Sequence, residues 1–381
     1  MKFSVVRFNK FLRPVQAAPT AAAQAKQLAA EKVDWPWRYA KLCAQVSDWV
    51  THNLQIHLVN THLVEEAIIV ATQRSFENDH PVYRLLQPHW IKTLSLNASA
   101  RASLVPGVII PIVGLNPAQV TAYVKDAYYR FDWQGHYVPK DLETRGFPVQ
   151  KLYTDKKYHN YAYAKNIYLM WQTLHEFVSS ALRIRYKNNA DVQADKWVNT
   201  WCTEMRSDIG GRMKSFPIIK GFDQLVDAVV MSIHIASPQH NAVNYLQAFY
   251  GSFVINKPPC LCKDVISSYA ALEAVKEADL LAALPVGKDH GPLWLLASHL
   301  PYLLSYRVAD DQTLMNYAFS LWKLSLDLKP PNPTLVGIAS KFYNTLRLLV
   351  LKFGEHSTDL DQDLIPYTVM DPSTTAISIL I

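Results

Sequence analysis

The chain has 381 residues, half of them hydrophobic, enough for one large core or two smaller ones. With 12 glycines against 10 Trp, 20 Tyr and 14 Phe, the composition suits packed helices and argues against a turn-rich β-barrel. A net charge of +6 gives no reason to expect a nucleic-acid partner, and no apolar run of membrane-spanning length occurs.

Residues 1–34 form a basic, Ala- and Gln-rich lead-in. Lys2, Arg7, Lys10, Arg13 and Lys26 all precede the first acid, Glu31. Charges interrupt any signal-like apolar core, and the segment only weakly resembles an acid-free transit peptide. Its positive charge suits peripheral contact with an anionic membrane, although a solvated tail explains it as well. The four cysteines, Cys43, Cys202, Cys260 and Cys262, have no zinc-ribbon or CxxC spacing. Free thiols and a reducing, cytoplasmic setting are the expectation.

From Trp35 the pattern is helical. Residues 37–76 run without Pro or Gly and become apolar nearly all round, as a buried central helix does. A break at Asn78–Pro81 precedes VYRLLQPHWIKTLSLNASARASLV, a second helix interrupted at Pro88. Residues 105–160 are mixed. Helical periodicity returns in NIYLMWQTLHEFVSSALRIRYK, DVQADKWVNTWCTEMRS, GFDQLVDAVVMSIHIA and HNAVNYLQAFYG. The last third adds VISSYAALEAVKEADLLAAL, TLMNYAFSLWKLSLDL and TLVGIASKFYNTLRLLVLKFG, and the end is apolar, AISILI. No repeat or linker divides residues 35–381. The expectation is a mainly α protein with one large helical domain.

Five of the 13 histidines form an array: His52-x4-His57-x4-His62-x17-His80-x8-His89. A single His on an apolar helix is usually a satisfied core residue. Five in one helical hairpin suggest converging neutral imidazoles, which suit Fe, Zn, Cu or Ni. On a regular α-helix, five residues leave neighbouring imidazoles about 140° apart. A π-turn bonds i to i+5 and restores a common face, so a π segment is expected between His57 and His62. In SPQHNAVNY, His240 and Asn244 are four apart and share a helix face. Asn244 is either a neutral oxygen ligand or an amide bonded to a neighbouring helix.

This array resembles the signature of the lipoxygenases. The likeness extends through NTH…EE…IATQR…HPVYRLLQPH, LNASAR, RGF…YAYAKNIYLMW, YKNNADVQADKWVNTW, SPQHNAVNY and the terminal PYTVMDP…SILI, covering roughly residues 35–381. The resemblance implies a non-haem iron dioxygenase that makes hydroperoxides from polyunsaturated fatty acids and O2. Its implied metal ligands are His57, His62, His240, Asn244 and the C-terminal carboxylate of Ile381. An iron-bound hydroxide, not a side chain, takes hydrogen from a bis-allylic carbon. His52, His80 and His89 are then buried neighbours that orient the central helices, and Gln247 links the metal ligands to the substrate channel. Ala100, before the Arg of LNASAR, is the position at which Ala accompanies S products and Gly accompanies R products. Manganese members often end in Val, so Ile381 favours iron over manganese.

The chain departs from the family in several places. Only 51 residues precede His52, where the family has a long section, so a shortened or minimal form lacking the N-terminal β-sandwich is expected. Asn53 replaces Gln, Asn241 replaces Ala, Ile377 replaces an Asn, and Asn166 replaces an Asp. Two alternatives are a catalytically weak lipoxygenase homologue and, from another class, a metal-free helical lipid-binding module.

Overall fold

The computed structural model describes residues 34–361 and 366–381; the lead-in over residues 1–33 lies outside them. Three contiguous segments, Trp35–Val50, Thr51–Leu63 and Val64–Ser75, make one long helix, α1. Asp34 caps its start by accepting the Trp37 N–H, and Pro36 occupies the first turn, where its missing donor costs nothing. The middle segment is π-helical, as the histidine spacing predicts. Its Thr61 hydroxyl donates to the carbonyl of Ile56 at 2.8 Å, again five residues back.

Helix α2 (Pro81–Leu86) starts at the expected break, and a single 3-10 turn, Gln87–His89, takes up Pro88. Helix α3 (Thr93–Ser99) runs on into a second π segment, Ala100–Ile109, with Pro106 inside it. Helix α4 (Pro117–Tyr129) is closed by a reciprocal capping box between Asn116 and Gln119. The main helices that follow are α5 (Ala162–Leu182), α6 (Lys196–Arg206) and α7 (Phe222–His234). A third π segment, Ile235–Gln239, containing Pro238, continues α7 into His240–Asn244. Helices α8 (Gly291–Leu304), α9 (Leu314–Asp327) and α10 (Pro333–Thr358) complete the set.

The mainly helical architecture is as expected, with several differences; VISSYAALEAVKEADLLAAL divides into Tyr269–Glu273 and Glu277–Ala283, and HNAVNYLQAFYG into His240–Asn244 and Gln247–Tyr250. Three π segments occur among the described residues, where the spacing predicted one. The DVQADKWVNTWCTEMRS periodicity divides into Asn189–Gln193 and α6, because Asp195 turns out of the helix to accept the N–H groups of Trp197 and Val198. Helix α8 stands outside the sequence-predicted elements; its GPLWLLASHLPYLL has almost no polar face to set a period.

The largest core cluster joins α1, α5, α6 and α7 with the inner faces of α9 and α10. Val64, Ile68, Leu174, Val229 and Leu346 are all fully buried there. A second cluster packs Trp49, Leu54, Ile112 and Leu300 on the other side of the π segment of α1. The helices α1 and α7 thus lie in the middle of the protein, and both are π-helical where they meet. Gln239 clamps that crossing: its amide donates to the Asn60 carbonyl and the Thr61 hydroxyl, both at 3.1 Å. Asn53 donates to the carbonyl of Trp49, and Asn166 accepts from His356 at 2.7 Å, so both act within the helical core.

Candidate metal centre

The π turn brings His57 and His62 to one face of α1, with ring centroids 5.0 Å apart. The π segment in α7 turns His240 toward them, 5.6 Å from His57 and 5.2 Å from His62. One nitrogen from each ring lies within 4.8 Å of the others. The Nε2 atoms of His57 and His62 face each other at 3.2 Å. Two nitrogen ligands about 2.1 Å from one ion, at about a right angle, stand about this far apart.

Burial holds all three rings neutral. His57 is pushed well below the usual histidine range by desolvation and then by His62, His240 and His52. His240 is lowered in the same way by desolvation and by His62, while the main chain of Ile381 pulls in the opposite direction. His62 is lowered by desolvation against the opposing pull of Asn97 and Glu66. Neutral imidazoles turned inward present lone pairs to a cation.

Unpaired polar atoms provide a test of fit. Both nitrogens of His240 and Nδ2 of Asn244 are buried without a hydrogen-bond partner. Such groups are costly unless something completes them. Together with the facing nitrogens of His57 and His62, they fit a transition metal.

Around this centre, Gln247 donates to Asn244 Oδ1 at 3.1 Å and lies 3.5 Å from His57 Nδ1. It therefore joins Asn244 to His57. Asn97 escaped the sequence reading. Its Oδ1 lies 2.8 Å from His62 Nδ1, and its Nδ2 donates to the His62 carbonyl and to Glu66. With Nδ1–H donated to Asn97, the His62 Nε2 lone pair faces inward.

The other array histidines act elsewhere. His52 Nε2 meets the Val243 carbonyl at 2.9 Å and so joins α1 to α7. His89 Nδ1 donates to the Ile377 carbonyl at 2.6 Å and holds the C-terminal segment. His80 belongs to a separate network: it caps α2 and contacts Asp195 and Tyr186, each at 3.2 Å. Ala100 opens the second π segment three residues beyond Asn97 and is half-buried.

The chain end is fastened from several sides. Ser237 donates to the Ala376 carbonyl at 2.6 Å, and the Asn241 amide binds both the Ala376 N–H and the Val369 carbonyl. Ile377 and Ile379 are buried, and the Ile381 main chain reaches His240.

The chain is similar to known proteins in both sequence and fold. The sequence matches the Lipoxygenase family over residues 11–293. It is 44% identical over 384 residues to a manganese lipoxygenase of Pleurotus sapidus, with all of this chain aligned to 57% of that protein. It is 33% identical over 234 residues to linoleate 9S-lipoxygenase 1 of Oryza sativa subsp. japonica, covering 59% of this chain and 27% of the rice protein. The crystal structure of a fungal lipoxygenase from Fusarium graminearum superposes with a TM-score of 0.86 at 42% identity, covering 98% of this chain and 60% of that one. The chain thus spans 57% and 60% of the lengths of its two fungal relatives.

Proposed function

Since the chain belongs to the lipoxygenase family, we propose that it is a fatty-acid dioxygenase, converting polyunsaturated fatty acids and O2 into hydroperoxides. The observation that carries this reading is the convergence of three neutral, buried imidazoles from two π-helical segments. His57, His62, His240, Asn244 and the Ile381 carboxylate are the proposed ligands of one catalytic metal. Iron is the first assignment, on the C-terminal Ile. Manganese is the second, favoured by the name of the Pleurotus sapidus relative.

When bound, such an ion supplies the one-electron oxidation that removes hydrogen from a bis-allylic carbon. The residues of the chain do the rest. Asn97 holds the His62 tautomer, and Gln247 keeps Asn244 turned toward His57. His89, Ser237 and Asn241 hold the tail that brings Ile381 against His240. The apolar core around α1 and α7 keeps water from the rings. Ala100 is the proposed control of the side on which O2 adds.

The test is incubation with linoleic and arachidonic acids, followed by chiral separation of the products. A single dominant hydroperoxide enantiomer from metal-replete protein supports the reading. No conjugated-diene product from protein carrying iron or manganese rejects it.

A further inference from the structure

A line of polar contacts leads from the histidine cluster out to solvent. It joins two neighbouring helical segments in register: His62 meets Asn97, and four residues further along each segment Glu66 meets Arg101. Both pairs are 35 residues apart in the chain, and the spacing of four keeps each member on the face of its predecessor. His62 Nδ1 lies 2.8 Å from Asn97 Oδ1. Asn97 Nδ2 donates to two acceptors, the His62 carbonyl at 2.8 Å and Glu66 Oε2 at 2.9 Å. Arg101 Nη1 donates to that same Glu66 oxygen at 2.6 Å. Asn97 is buried, Glu66 keeps 26% of its side chain exposed and Arg101 51%.

An amide can turn either end toward an imidazole. A carboxylate and a carbonyl only accept, so together they hold the NH2 end of Asn97 and leave its oxygen for His62. His62 then carries its proton on Nδ1, with Nε2 bare on the side of His57. Glu66 also acts by charge. A carboxylate bonded to the amide polarises it, and the amide in turn makes His62 Nε2 a stronger donor to a cation. The other two cluster histidines differ: His57 has the neutral Gln247 amide at 3.5 Å, and neither nitrogen of His240 has a partner.

Resting on the reading of this cluster as the metal centre of a dioxygenase, we infer that Glu66 is a positioning residue for the ligand His62, and that Arg101 sets how much of the Glu66 charge the metal feels. The two residues pull in opposite directions. Glu66 strengthens His62 as a ligand and favours the higher oxidation state of a bound ion. Arg101 offsets that charge through a charge-assisted hydrogen bond. A centre that works by one-electron oxidation has to accept an electron readily. A neutralised carboxylate orients His62 while sparing that oxidising power.

The test reads binding and potential with no substrate present. Anaerobic chelator competition measures the affinity of the whole chain for ferrous iron. A redox titration followed by electron paramagnetic resonance measures the midpoint potential of the iron-loaded protein. Glu66→Gln weakens iron binding by about tenfold or more and moves the potential positive. Arg101→Gln tightens binding and moves the potential negative, while Arg101→Lys restores the values of the unmodified chain. On an Asn97→Ala background Glu66→Gln adds no further loss, since the carboxylate acts through that amide. Should Glu66→Gln fold poorly by circular dichroism, the half-exposed Arg101 carries the same test through the sign of its shift. Weakened binding in both Glu66→Gln and Arg101→Gln, as a purely structural ion pair gives, overturns the inference. So does an unchanged potential in both, or an equal effect of Glu66→Gln with and without Asn97. An iron-loaded chain that shows these opposed shifts but oxygenates no polyunsaturated acid rejects the dioxygenase reading instead and leaves Glu66 and Arg101 in their roles.

Discussion

The Asn241 side chain accepts the Ala376 backbone N–H at 3.1 Å, and its other amide atom donates to the Val369 carbonyl. The polar anchor of the chain end thus stands on the helix that also bears His240 and Asn244.

Asn241→Ala is expected to release that anchor. Two buried backbone groups lose their partner, at a cost of roughly 1–3 kcal/mol. The denaturant midpoint falls, and metal occupancy falls with it because Ile381 is no longer held against His240. Unchanged occupancy at the same stability would detach the tail from the metal centre.

Asn97→Ala should weaken the metal site without dismantling the fold. Loss of a partner that orients a ligating His typically costs about 10–100-fold in metal affinity. Competition against a chelator measures it. An affinity equal to that of the unmodified protein would show that His62 is held by packing alone.

Glu65 is fully buried on α1, and neither of its oxygens has a normal hydrogen-bond partner. Burial raises its carboxyl well above the ordinary 4.5, with the Trp90 indole opposing. The folded chain therefore keeps the proton that the unfolded chain releases near that pH, and stability declines as pH rises above it until the folded group also ionises. Glu65→Met removes this slope and is expected to raise stability at pH 7 by about 1–3 kcal/mol in urea unfolding. A destabilised Met variant would contradict the account of Glu65 as an uncompensated carboxyl.

Asp195 has the opposite sign. Burial alone would raise its pKa, but hydrogen bonds from His80, Tyr186 and the Val198 N–H outweigh it and depress the value well below 3.8. Its contribution is present above the unfolded carboxylate range and disappears as pH falls through and below it. Asp195→Asn should flatten the acid limb of the stability curve between about pH 4 and pH 2. An unchanged acid limb would show that the His80–Tyr186 network is energetically silent.

Much of this site was legible in the sequence, because its geometry is local. Spacing by five led to a π turn that brings His57 and His62 together, and spacing by four placed His240 and Asn244 on one face. Asn97 was not legible: it meets His62 from 35 residues away, and a lone Asn in a helix carries no periodic signal. His80 shared the array spacing yet serves Asp195, since spacing says nothing of which neighbour a helix turn will face. Helix α8 lacked the alternation of polar and apolar faces on which recognition of a helix depends.

Oxygen addition offers a chemical check. Ala100→Gly should open space at the start of the second π segment and shift products toward the R configuration at another carbon, read by chiral chromatography. An active variant with unchanged chirality removes Ala100 from stereocontrol.

The most direct measurement is the metal content of the purified chain beside variants at its proposed ligands, His240→Ala and a Gly added after Ile381, each first checked for native helix content. The account predicts about one iron or manganese per unmodified chain, and severe loss in both variants, since each removes or displaces one ligand of a single site. Full occupancy in the extended protein would remove the terminal carboxylate from the ligand set. An unmodified chain that takes up neither metal on reconstitution would contradict the metal centre itself.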